Sequence, residues 1–164
     1  MPGPSPTESV EADAPYRFLV VCSGNICRSP MAEAFIRHQA DVRGWRIETR
    51  SGGTLDIRGR QADPLAIRVM RERDIDLNAH VSRGIEADDV EWADWILVME
   101  IGHRQQLRDR HPDCESKLLL LGTFGGVVEL PDPIGGWRWR FRKSRDQIER
   151  CTVAFLDQLP PRAI

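Results

Sequence analysis

Short, solidly apolar runs alternate along this chain with stretches in which apolar residues recur at helical spacing. Phe18–Val21 and Trp95–Met99 are continuous apolar runs, and Lys117–Leu121 is a lysine followed by four leucines, which predicts strands buried on both faces. Trp45–Arg50 has moderate β character and runs into Ser51-Gly52-Gly53-Thr54. Between these runs the spacing predicts helices. The first spans Pro30 to about Gln39, with Met31, Ala34, Phe35 and His38 on one face. A second spans Pro64–Arg73, with a charged face (Arg68, Arg71, Glu72, Arg73) directed to solvent. Glu86–Ala93 is a short acidic helix, and Gly102–Arg110 a basic one. The last covers Ser144–Leu159, with a packed stripe of Ile148, Cys151, Thr152, Phe155 and Leu159 ending at Pro160. Strands and helices in strict alternation predict an α/β fold: one domain with a central four-stranded parallel sheet and helices on both faces. In such sheets ligands bind beyond the carboxyl ends of the strands.

Composition narrows the picture. With 164 residues and 41% apolar content the chain suits one domain, over residues 16–164. Residues 1–15, rich in Pro, Ser and Glu, read as a disordered tail. The 23 basic and 25 acidic side chains give a formal charge of −2, so no global field points to nucleic acid. No run is long enough to span a bilayer, and the N-terminus lacks a signal-peptide core, so the expected location is the cytoplasm, away from membranes. Four cysteines do not form a disulfide framework in such a chain. His103, His111 and Cys114 match no zinc-ligand spacing, so no metal is expected.

The chemistry concentrates in Cys22-Ser23-Gly24-Asn25-Ile26-Cys27-Arg28-Ser29-Pro30, directly after the first apolar run. A strand passing through a tight loop into a helix N-terminus, opened here by a proline, turns backbone N–H groups inward and makes an anion site. The donors that hold a phosphate also stabilise a thiolate, so Cys22 is a candidate nucleophile. Arg28 brings a planar fork for two phosphoryl oxygens. Asn25 tolerates a left-handed backbone, and the Ser29 hydroxyl is placed to donate to the sulfur. Cys27 lies near enough to trap an oxidised Cys22 in a protective disulfide. The plainer reading, a cysteine that merely fills a strand end, applies to isolated cysteines.

The string Cys-Ser-Gly-Asn-Ile-Cys-Arg-Ser-Pro-Met-Ala-Glu resembles the phosphate loop of the low-molecular-weight protein-tyrosine phosphatases almost letter for letter. The resemblance extends from Tyr16 to the C-terminus. It implies a phosphoprotein substrate, a phosphocysteine intermediate, no cofactor and a monomer. It further implies that Ser51 braces Asn25 and that His80, in the segment Asn78-Ala79-His80-Val81-Ser82, joins the same network behind the loop. Glu129-Leu130-Pro131-Asp132-Pro133 holds a carboxylate between two prolines. An Asp-Pro at this place serves the family as general acid and then base, which assigns that role to Asp132.

The substrate wall is less typical. Many relatives carry an aromatic residue after Asp-Pro, whereas this chain has Ile134. Ile134-Gly135-Gly136 is similar to the subgroup of protein-arginine phosphatases, but those have threonine inside the cysteine loop where Ile26 stands. Ile26 would line the pocket directly, and its apolar bulk favours an aryl ring over a guanidinium; phosphoarginine is the alternative. Thiol-linked arsenate reductases share the loop but need further cysteines, and positions 83–100 contain none. A non-catalytic phosphoprotein-binding module would have no use for Cys22, Arg28 and Asp132 together. Trp137-Arg138-Trp139-Arg140-Phe141-Arg142-Lys143 alternates aromatic and basic residues. Single-stranded nucleic acid can bind such a pattern; a loop entering the last helix is simpler. Trp137 is expected at the substrate rim, with Arg138 and Arg140 attracting acidic groups around the target.

Overall fold

Tyr16–Cys22 forms β1, the strand on which the sheet is assembled. In this computed structural model residues 14–162 are described; nearly all of the tail expected over residues 1–15 lies outside them. β1 pairs in parallel with β2 (Ile47–Gly53) on one side and β3 (Trp95–Val98) on the other, and β4 (Leu118–Leu120) extends the sheet beyond β3. The order β2-β1-β3-β4 reverses direction at β1. That reversal opens a crevice at the carboxyl end of β1, where Cys22 stands.

Both faces of the sheet are covered. Phe18 and Val20 point into a core shared with α1 (Arg28–Arg43), α2 (Pro64–Arg71) and α5 (Arg138–Asp157). Leu19 and Val21 point the other way, toward Val90 of α3 (Ala87–Trp92) and Leu107 of α4 (Ile101–Arg110). Alternate side chains of one strand thus serve two cores, which is why the run is apolar throughout. Burying each such side chain contributes about 1.5–3 kcal/mol. The Phe18 ring meets Phe155 of α5 edge-on, with centroids 5.6 Å apart.

Several boundaries differ from the sequence expectation. α1 runs past Gln39 because Ala40 is buried, and it stops at Gly44, whose left-handed backbone (φ 66°) caps it. β2 lies further along than Trp45–Arg50, reaching Gly53 to pair with Cys22. β4 is only three residues long, because Leu121 already starts a 3₁₀ segment that runs to Gly125. The largest correction concerns α5, which begins at Arg138 rather than Ser144. Phe141 is fully buried and its N–H bonds the Trp137 carbonyl at 3.3 Å, which winds the alternating segment into a helical turn. The charged end of α2 is also not simply solvated. Glu72 pairs with Arg142 (2.6 Å) and Arg145 (2.8 Å), and Arg73 with Asp146 (3.0 Å) and Glu149 (3.1 Å), fastening α2 to α5. Hydrogen bonds from Arg142, joined by Arg145, hold the Glu72 carboxyl down to about 2.

Candidate active site

Cys22 ends β1 and Arg28 begins α1, so the five residues between them form a loop closing on a helix N-terminus. The carbonyls of this loop are engaged from outside. Thr54 and Leu55 N–H groups donate to the carbonyls of Cys22 and Ser23 at 3.0 Å each, and Asp63 N–H to that of Ile26 at 2.8 Å. His80 donates from Nε2 to the Asn25 carbonyl at 2.6 Å. With carbonyls held outward, N–H groups turn to the centre, where that of Asn25 lies 3.3 Å from Cys22 Sγ. Asn25 adopts a left-handed backbone (φ 57°). The loop rests directly on the end of β2: a Cβ on Gly53 would come within 2.5 Å of the Ser23 carbonyl oxygen, so only glycine fits there.

One polar chain runs through the floor of the site. Asn25 Nδ2 donates to Ser29 Oγ (2.7 Å) and Ser51 Oγ (3.0 Å), and its Oδ1 accepts from Arg83 N–H (3.0 Å). Ser51 in turn donates to Glu33 Oε1 at 3.3 Å. Because Ser29 Oγ already accepts from Asn25, its own proton is free for Cys22 Sγ, 3.0 Å away. Asn25 and Ser29 are fully buried, which puts a high cost on any unpaired group in this chain. Ser51 and His80, expected behind the loop, are thus both in contact with Asn25.

The Arg28 guanidinium is almost wholly buried. Nη1 donates to the Leu130 carbonyl at 2.8 Å and pairs with Glu100 at 3.1 Å, while Nη2 lies 3.6 Å from Asp132 Oδ2 and 3.4 Å from Ser23 Oγ. Ser23 Oγ is also 2.8 Å from His103 Nε2. Since His103 Nδ1 accepts from Glu100 N–H at 3.1 Å, the neutral ring carries its proton on Nε2 and donates it to Ser23. Burial, reinforced by the Arg28 charge, pushes the His103 imidazole below its usual range and keeps that form.

Asp132 Oδ1 accepts from Ile134 N–H at 3.1 Å, which leaves Oδ2 facing Arg28. Cys22, Arg28 and Asp132 line one cavity of about 180 Å³ together with Ile26, Leu55, Ile57, Arg60 and Ile134. The loop residues Ser23, Gly24 and Cys27 complete its base. Trp137 lies outside this wall, three residues beyond Ile134 and 80% exposed. A thiol on an amide-lined loop, a buried guanidinium and a carboxylate in one small cavity can bind a phosphoryl group, attack it and protonate what departs.

Residues 17–162 match the family model described as low molecular weight phosphotyrosine protein phosphatase. The chain belongs to that family. It is similar to a protein-arginine-phosphatase of Geobacillus stearothermophilus, 35% identical over 88% of this chain and 97% of that one. It is likewise 37% identical to the low molecular weight protein-tyrosine-phosphatase Wzb of Salmonella typhi, over 81% and 82% of the two chains. Among solved structures, Wzb of Vibrio vulnificus in complex with benzylphosphonate superposes with a TM-score of 0.83 at 30% identity, covering 89% of this chain and all (100%) of that one. The chain is accordingly a protein phosphatase by family, and its substrates are phosphoproteins.

In this low-molecular-weight phosphatase, sequence reasoning overlooked Glu100, His103 and Glu33. The spacing of His103 to His111 and Cys114 addresses only metal ligation and says nothing of its bond to Ser23. The available signal was position: Glu100 and His103 follow directly on β3, at the same carboxyl edge of the sheet as Cys22. The remaining cysteines are buried free thiols; burial pushes those of Cys27, Cys114 and Cys151 up, with Asp63 and Asp132 adding to the effect at Cys27. A wider cleft of about 760 Å³ lies behind the loop, between α1, β2 and residues 74–89. Its arginines are paired internally, as in Arg83–Asp89 (2.7 Å) and Arg50–Asp88 (2.9 Å), and it contains no nucleophilic cysteine.

Proposed function

We propose that this phosphatase hydrolyses phosphotyrosine and other aryl phosphates through a phosphocysteine on Cys22. The thiolate attacks phosphorus in line as the phosphorus–oxygen bond to the aryl group breaks, and Asp132 gives its proton to the departing oxygen. Arg28 and the loop amides carry the charge on the equatorial oxygens. Asp132, now a carboxylate, takes a proton from water; that oxygen attacks phosphorus, the sulfur–phosphorus bond breaks, and phosphate and thiolate are released. The loop and guanidinium supply the positive field, so no metal or cofactor takes part.

The observation that carries the aryl reading is the wall. Ile26 Cγ1 and Ile57 Cδ1 converge over Gly24, 3.6 and 3.8 Å from the position a Cβ there would take, and Ile134 and Leu55 extend the same apolar lining. A flat ring fills such a slot, whereas a guanidinium would leave its N–H donors facing aliphatic carbon. Phosphoarginine is the second reading, favoured by Ile134-Gly135-Gly136 and by the 35% identity to an arginine phosphatase. Comparing kcat/KM for phosphotyrosine and phosphoarginine peptides separates the two. A faster rate on phosphoarginine would overturn the aryl reading.

Residues 16–164 act as one catalytic domain, in keeping with the family match over residues 17–162, and the working unit is a monomer. The working location is the cytoplasm, in keeping with four free cysteines; no helix among the described residues is long and apolar enough to cross a membrane. Neither nucleic acid nor a lipid surface has a part in the reaction.

A further inference from the structure

The alternating segment Trp137–Lys143 divides once it is wound into α5. Phe141 is buried, and Arg142 is held by Glu72. Trp137 and Trp139 stay 80% and 62% exposed, and Arg138 and Arg140 make no ion pair among the described residues. Two residues apart on a helix, Arg138 and Arg140 point about 160° away from each other. The Arg140 stem lies over Gly136: a Cβ there would come within 3.1 Å of Arg140 Cβ. Gly136 closes the turn that starts at Pro133 (N–H to carbonyl, 2.9 Å), next to Asp132. Arg140 therefore sits on the side of the catalytic turn, and Arg138 does not. Arg60, exposed and likewise free of ion pairs among the described residues, lines the same cavity as Asp132, together with the exposed Leu55.

We propose that Arg140 and Arg60, together with the exposed Trp137 at the start of α5, form a docking surface for acidic residues that flank the phosphorylated residue of a protein substrate. The proposal rests on the phosphatase reading and adds the class of sequence selected. Two guanidiniums without carboxylate partners among the described residues, one lining the cavity and one packed against the turn that follows Asp132, are complementary to a negatively charged segment. The exposed Trp137 indole, one residue beyond Gly136, offers flat apolar area for the peptide's backbone and side chains. The sequence alone pairs Arg138 with Arg140; the helix separates them and makes Arg138 an internal control.

The test measures kcat/KM for p-nitrophenyl phosphate, for a phosphotyrosyl peptide flanked by glutamates and for the same peptide flanked by glutamines. Absence of aryl-phosphate hydrolysis by the wild type would sink the phosphatase reading itself; with hydrolysis present, the peptide ratios address docking alone. The acidic-to-neutral ratio should fall by about three- to tenfold in Arg60→Ala/Arg140→Ala, and should shrink in the wild type between about 0.05 and 0.5 M salt. Arg140→Glu should reverse the preference, and circular dichroism checks that each variant is folded. An unchanged ratio in the double variant, or an equal fall in Arg138→Ala, overturns the proposal. So does competition by a single-stranded oligonucleotide at concentrations below the acidic peptide's KM, which would transfer the surface to a nucleic-acid partner.

Discussion

The floor of the cavity and its mouth are built on opposite terms. On the floor, Asn25, Ser29, Ser51 and Arg28 are buried, and the partners named for them above lie within 3.6 Å and come from several elements. At the proposed rim, the side chains of Trp137, Arg140 and Arg60 are exposed and without an ion pair or side-chain hydrogen bond among the described residues. A saturated buried network fixes charge to a fraction of an ångström and tolerates little change. An open rim tolerates change but decides which partner approaches. Floor variants should therefore alter kcat and stability, and rim variants the choice among substrates.

The strongest challenge to this contrast comes from the reacting groups. Cys22→Ser should reduce turnover by about 10⁴-fold or more, read with p-nitrophenyl phosphate. Asp132→Asn should cost about 10²–10⁴-fold, rising as the leaving group becomes more basic; a uniform loss across substituted phenyl phosphates would deny Asp132 the acid role. Next comes Asn25→Ala, which strands Ser51, Ser29 and the Arg83 N–H together. It should destabilise the protein by about 2–4 kcal/mol in urea unfolding, against less than about 0.5 kcal/mol for Trp137→Ala. Comparable losses in both would erase the distinction between floor and mouth.

A smaller effect on turnover is expected at His103. Its folded-state ionisation lies below the ordinary value of 6.5, so the unfolded chain takes up the proton first. Its contribution to stability is complete above that value and fades as pH falls through it toward the depressed one. Thermal melts from pH 7 to 5 should therefore fall more steeply for the wild type than for His103→Gln. The glutamine variant keeps a donor for Ser23 and should retain kcat, whereas His103→Phe should lose about tenfold. Equal rates in both variants would mean that the hydrogen bond to Ser23 does nothing for catalysis.

How much of this was legible depends on distance along the chain. Cys22 to Pro30 are contiguous, so their spacing carries the loop, and the solid apolar runs carry the parallel sheet. The Asp132 assignment came from the resemblance to the phosphatase family, joined to the prolines beside it and its place after the fourth strand. His103 was opaque, because its partner Ser23 lies 80 residues away and nothing local marks the pair. The start of α5 was hidden for another reason. Aromatic and basic residues alternate with period two there, and only packing of Phe141 and the pull of Glu72 on Arg142 impose the helical period. Tertiary contact, absent from any local window, wrote those boundaries.

The bond from Arg28 to residue 130 ends on a main-chain oxygen. Every amino acid carries that oxygen, so no single substitution at position 130 deletes the acceptor, provided the new side chain still packs. The segment bearing the acid can therefore drift in composition between related chains, or be reshaped by design, while the guanidinium keeps its hold on it.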